Sequence, residues 1–141
     1  MTQGIFATKT GIITQEVEVP KELPERYVRV KTEYSVASVG TELSIARRIR
    51  ESDSDRQARL GYSAAGTVVE AGPESGFAVG QRVAVYGAPY TWHCGELLVP
   101  RTLVAPVGEG VDMASAATVG LGAIALHALH SANIEIGQHV A

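Results

Sequence analysis

Cysteine is nearly absent: Cys94 is the only one in 141 residues. No internal disulfide can form, and the count suits a reducing compartment, so a cytoplasmic location is expected. A charge excess of one sign is also missing. The net charge of −3 argues against a nucleic-acid surface. Arg47, Arg48 and Arg50 cluster, but Glu51, Asp53 and Asp55 follow at once, as in a solvated mixed-charge loop. The N-terminus lacks a basic flank followed by an apolar core, so no secretory signal is read. No long hydrophobic run is uninterrupted. Met113–Ala132 is rich in Ala, Gly and Leu but broken by small residues and by His127 and His130. It reads as a buried helix, not a membrane span. No internal repeat or low-complexity segment is visible.

What remains is a globular composition, 45% hydrophobic and 19% charged. The centre of the chain is Leu60–Val85, read as a long-armed β-hairpin. Ala64, Ala65 and Gly66 open the first arm, and Thr67, Val68 and Val69 carry it. The second arm is Arg82–Val85, with Val83 and Val85 on one face. Gly72, Gly76 and Gly80 are candidates for positive φ. The expected result is a bent antiparallel sheet with a small-residue corner.

Around it, Gly4–Thr8 and Ile12–Val19 read as strands joined by a turn at Gly11. Tyr27–Lys31 alternates apolar and charged residues, as in a half-exposed strand, and runs on to Val39. Gly40 breaks it. Thr41 then caps a short helix, Glu42–Ile49. Gly95–Val99 and Leu103–Ala105 are further short strands, and Asp112 caps one helix from Met113 to about Ala132. At the end, Gln138-His139-Val140-Ala141 reads as the first residues of a new strand, which suggests a piece of a larger protein.

The order of signals resembles the N-terminal half of the medium-chain dehydrogenase/reductase family, the zinc-type alcohol dehydrogenases and their relatives. Ser38-Val39-Gly40-Thr41-Glu42 is similar to its Cys-Gly-Thr-Asp segment. Leu60-Gly61-Tyr62-Ser63-Ala64-Ala65-Gly66 is similar to its Gly-His-Glu-x-x-Gly segment, and Val79-Gly80-Gln81-Arg82-Val83 to its Gly-Asp-Arg-Val turn. The resemblance implies a mainly β, GroES-like, partly open barrel over 1–112. A linking helix and the start of an absent Rossmann domain would occupy 113–141.

The family's catalytic zinc uses Cys, His and often Glu. Those places hold Val39, Tyr62 and Ser63 here. Zinc needs thiolate, imidazole or carboxylate donors, usually three from protein in a catalytic site. Val39 has none, and a four-cysteine structural zinc loop is impossible with Cys94 alone. No zinc is expected.

The resemblance implies roles for the same segments. Thr41 corresponds to a hydroxyl that relays a proton from substrate; the residue type alone equally fits a helix cap. Tyr62 would hydrogen-bond a substrate carbonyl as general acid, or simply fill a lost metal site. Glu42 is a pocket carboxylate or a first-turn helix charge. Val39 and Ser63 join the substrate pocket, and Gly40 and Thr41 touch the nicotinamide end of a cofactor.

Trp92 and His93 are further candidates for pocket lining. His93 and Cys94 make a poor metal pair, because neighbours on a strand face opposite ways. His127 and His130 are three apart on a helix and could chelate, but no third donor is evident, and ordinary helix histidines are the simpler reading. Gly120-Leu121-Gly122-Ala123-Ile124-Ala125 matches Gly-x-Gly-x-x-Ala. It lacks the preceding strand that a dinucleotide fingerprint requires, so the small residues are read as close-packing positions.

The expected function is the substrate side of a zinc-independent, NAD(P)-dependent oxidoreductase acting on alcohols or ketones. No side chain delivers hydride, so that chemistry needs the nicotinamide. NAD(P) would serve the full-length enzyme. Tight binding to these residues alone, and activity in isolation, are not expected. A bare apolar Met113–Ala132 helix implies self-association, or pairing with another chain or the missing domain. The alternatives are a standalone GroES-like binding module and one subunit of a split dehydrogenase.

Overall fold

Eight strands dominate the chain in a computed structural model that describes residues 1–135 and 137–139. Strands β1 (Thr2–Thr8) and β2 (Gly11–Val17) form a hairpin, and β4 (Ala58–Arg59) pairs with the other edge of β1. The larger sheet is antiparallel, in the order β7-β3-β5-β6-β8. Its members are β3 (Tyr27–Ser35), β5 (Ser63–Ala71), β6 (Arg82–Tyr86), β7 (Glu96–Pro100) and β8 (Val104–Pro106). A bridge between Gly4 and Cys94 ties the two sheets together. The result is the mainly β, curled half-barrel expected from the sequence.

The hairpin arms β5 and β6 pair as expected, from Ser63 opposite Tyr86 to Thr67 opposite Arg82. The β3–β5 register shifts twice, between Arg29 and Val30 and between Thr32 and Tyr34. Such irregularities bend and twist a sheet. Small residues allow the bend: a Cβ on Gly66 would collide with the Lys31 carbonyl oxygen. Gly76 and Gly80 have positive φ, as expected. Gly72 does not share that geometry. Its role is close approach, since a side chain there would strike the Pro24 and Glu25 carbonyls.

Three apolar clusters hold these layers. The barrel interior gathers Val28, Val30, Val68, Val83, Val85, Leu97 and Val99 with Phe6, Trp92 and Cys94. Val83 and Val85 do share a face. Helix α1 (Val39–Arg50) packs Ile49 and Ile45 on Ala7 and Leu60. Helix α2 (Met113–Ala116) packs Met113 on Ala65, covering the opposite face of β5 from Ala64.

Several expectations need correction. Strand β3 stops at Ser35 rather than Val39, and the helix begins at Val39, so Gly40 lies in its first turn and Thr41 is not the cap. Arg29 is not on an exposed face. Val28 and Val30 are buried in the barrel cluster, and Arg29 between them is buried too, donating to Glu70 at 2.7 Å, Glu96 at 3.3 Å and the Lys21 carbonyl at 3.1 Å. The hydrogen bond to Glu70 raises the Arg29 pKa further.

The long helix is two helices, α2 and α3 (Val119–Ser131). Ser63 sits at the break. Its hydroxyl donates to the Ala117 carbonyl at 2.6 Å and accepts the Gly120 N–H at 3.0 Å. Asp112 caps α2 as expected, accepting from the Ser115 N–H at 2.9 Å. The strand read at Gln138–Ala141 depends on Val140 and Ala141, which lie outside the described residues; Gln138 and His139 belong to no element.

Candidate active site

The first turn of α1 separates its side chains sharply. Val39, Gly40 and Thr41 face solvent, Val39 at 67% exposure. Glu42 alone turns inward, at 8% exposure. A buried carboxylate must have its oxygens satisfied, and both are. One accepts the Ser38 N–H at 2.8 Å, across the first turn. The other meets His93 Nε2 at 3.0 Å. The Ser38 hydroxyl donates to the Thr41 hydroxyl at 3.3 Å, leaving Thr41 displayed beside this network.

His93 is as buried as Glu42, at 7%. Its Nδ1 meets the Ser35 hydroxyl at 2.8 Å. Its backbone is fixed on both sides: its N–H donates to the Leu60 carbonyl at 2.7 Å, and its carbonyl accepts the Ile5 N–H at 2.9 Å. Gly61 lies against it with φ +94. A Cβ on Gly61 would stand 2.7 Å from the His93 nitrogen and 2.9 Å from the imidazole ring.

Tyr62 follows directly. It is half-buried, its carbonyl accepts the Gly87 N–H at 2.8 Å, and its ring meets Tyr86 edge-on at 5.9 Å. Tyr86 in turn packs over Gly120, where a Cβ would strike its ring. The first glycine of the Gly-x-Gly-x-x-Ala pattern therefore serves packing, at the start of a helix that follows another helix.

Trp92 and His93 lie in a bend ahead of β7, not in a strand, and their side chains enter different surroundings. Trp92 points into the barrel cluster, edge-on to Phe6 at 5.3 Å, with the Arg59 guanidinium 4.7 Å above its ring. It also lines a cavity of about 300 Å³ with Tyr27, Pro89 and Tyr90. Cys94 shares the barrel cluster, and burial pushes its thiol pKa up. His127 and His130 are exposed on α3.

A zinc ion of the catalytic kind needs three protein donors. Val39 offers none and faces solvent, and the Ser63 hydroxyl is committed to Ala117 and Gly120. Among the described residues no three of His, Cys, Asp and Glu come together to hold a metal. The donors present do not fit that ion.

The structure thus brings Glu42 and His93 together and puts Ser63 at the α2–α3 junction. It turns Trp92 toward the barrel interior. Sequence reasoning missed Ser35 and Gly61. Gly61 carried a signal, as a glycine directly before a candidate residue; Ser35 carried none.

Residues 24–138 match the model of the alcohol dehydrogenase GroES-like domain. The chain belongs to that family. No curated protein matches this GroES-like domain by sequence. Solved structures share its fold. One is an oxidoreductase/dehydrogenase of unknown specificity from Escherichia coli, with 20% identity, TM-score 0.79 and coverage of 98% of this chain and 49% of that one. Another is the quinone oxidoreductase of Coxiella burnetii, with 18% identity, TM-score 0.74 and coverage of 96% and 46%. A mycobacterial protein complexed with NADPH has 20% identity, TM-score 0.67 and coverage of 92% and 39%. The GroES-like domain therefore spans half or less of the structures it resembles.

Proposed function

We propose that this GroES-like domain forms the substrate side of an NAD(P)-dependent oxidoreductase of alcohols or carbonyl compounds that works without a bound zinc. The observation that carries this reading is the first turn of α1. Gly40 and Thr41 are exposed there above a carboxylate held inward, while Val39 offers a metal nothing.

Bound NAD(P) would supply or take up hydride, and the exposed Gly40–Thr41 turn is the part of this chain that would meet its nicotinamide end. The Thr41 hydroxyl, able to donate and accept, would exchange a proton with the substrate oxygen. Tyr62 would hydrogen-bond the same oxygen from the neighbouring segment. Glu42 fixes the turn. Trp92 shapes the barrel behind it.

The barrel would occupy 1–112, with 113–141 leading into a nucleotide-binding domain. Helix α3 supports this partition. Leu121, Ile124, Leu126 and Leu129 are 41%, 49%, 53% and 48% exposed, an apolar surface suited to cover by that domain or a second copy. No helix among the described residues is long and apolar enough to cross a membrane. A cytoplasmic location fits the single, buried cysteine.

The test is hydride transfer, followed by loss of reduced cofactor absorbance with a panel of quinones, aldehydes and ketones. The 141-residue chain alone is expected to be inactive, and the full product of its coding sequence active without added metal. Turnover that Tyr62→Phe leaves unchanged would remove the Tyr62 role. A full product inert with both cofactors across the panel would overturn the reading.

A further inference from the structure

In the resemblance, a metal ion would draw its ligands from the positions of Val39, Tyr62 and Ser63, and so would tether the α1 turn to the segment entering β5. Here the same two segments are tethered differently. The His93 backbone donates to the Leu60 carbonyl at 2.7 Å, two residues before Tyr62. Its imidazole reaches Glu42 at 3.0 Å, the residue after Thr41. Glu42 in turn holds the Ser38 N–H at 2.8 Å, closing the first turn. The Ser35 hydroxyl at 2.8 Å fixes the ring from the other side. Gly61 is the residue that lets Leu60–Tyr62 lie flat against the ring.

We propose that His93 is a positioning residue: with Glu42 and Ser35 it forms a metal-free imidazole–carboxylate brace that sets the Thr41 turn relative to the Tyr62 segment. Because a carboxylate oxygen only accepts, Nε2 carries the proton and donates to Glu42. Ser35 restrains ring rotation at Nδ1. The naming of Thr41 and Tyr62 as the groups being positioned rests on the oxidoreductase reading; the brace itself does not.

The experiment is amide hydrogen exchange by NMR on the chain, with the β3–β5 pairing as internal reference. His93→Leu is expected to lower protection of the Ser38 and Glu42 amides by roughly tenfold or more relative to that reference, and to loosen the segment at Leu60–Tyr62. His93→Gln still presents a donor to Glu42 and is expected to restore most of the protection. Glu42→Leu removes both the acceptor of the Ser38 N–H and the partner of His93, so adding His93→Leu to it should lose little further protection. Unchanged protection in His93→Leu, or equal loss in the leucine and glutamine variants, would overturn the brace.

Should His93→Leu fail to fold, the wild-type imidazole decides by its nitrogen shifts. A proton on Nε2 supports the brace, and a bare Nε2 overturns it. A full-length protein without turnover but with a protected first turn would sink the oxidoreductase reading and keep the brace. An active protein with an unprotected first turn would do the reverse.

Discussion

Helices α1 and α3 are almost equal in length, at 12 and 13 residues, and opposite in what surrounds them. Helix α1 carries Glu42, Arg47, Arg48 and Arg50, yet it is anchored to the barrel through Ile45, Ile49 and a buried Glu42. Helix α3 lacks Asp, Glu, Lys and Arg, yet every residue from Leu121 to Ser131 is exposed. Composition alone would have reversed the two. Burial follows from what the sheet offers. The Ala7–Leu60 surface and His93 receive α1, whereas Gly120 is the buried residue of α3, where it meets Ser63 and Tyr86. The anchored helix presents a polar turn where chemistry is proposed. The apolar helix leaves Leu121, Ile124, Leu126 and Leu129 exposed.

The hardest blow to the anchored side is Gly61→Val. Its φ of +94 is strained for any side chain, and the Cβ would stand 2.7 Å from the His93 nitrogen. A loss of about 3 kcal/mol or more is expected in denaturant unfolding. His93→Leu comes next. It leaves Glu42 buried with only the Ser38 N–H, for about 2–4 kcal/mol by the same measurement. On the α3 side, Leu126→Gln alters a residue 53% exposed. Stability should stay within about 0.5 kcal/mol, while self-association seen by light scattering weakens. A large loss of stability there would break the contrast between the helices.

The smallest effect concerns the cap of α2. The Ser115 hydrogen bond holds the Asp112 carboxyl below its usual pKa. A depressed folded pKa adds stability above the unfolded value of about 4, and that stability is lost as pH falls through the folded value. Asp112→Ala should flatten this part of the acid limb of an unfolding-midpoint-against-pH curve.

Local signals in the sequence located the strands apart from β4 and the end of β3, and also the Val83–Val85 face, the turns at Gly76 and Gly80, and the Asp112 cap. Each depends on residues a few positions apart. The misreadings share a different cause. Arg29 looked exposed because alternation does not register Glu70 and Glu96, which receive it from neighbouring strands. The Met113–Ala132 helix looked continuous because its interruption is made by Ser63, 54 residues before Ala117. In the site, Thr41 and Tyr62 were legible as chemistry, but the pairing of Glu42 with His93 spans 51 residues and has no local pattern. The family resemblance pointed to the Ser38–Glu42 and Leu60–Gly66 segments and was silent on the His93 contacts that join them.

The zinc content of protein purified without added metal tests the central claim most directly. Elemental analysis of the full product should find far less than one zinc per chain, with turnover indifferent to a strong chelator. One zinc per chain, together with activity lost on chelation and restored by zinc, would contradict the account.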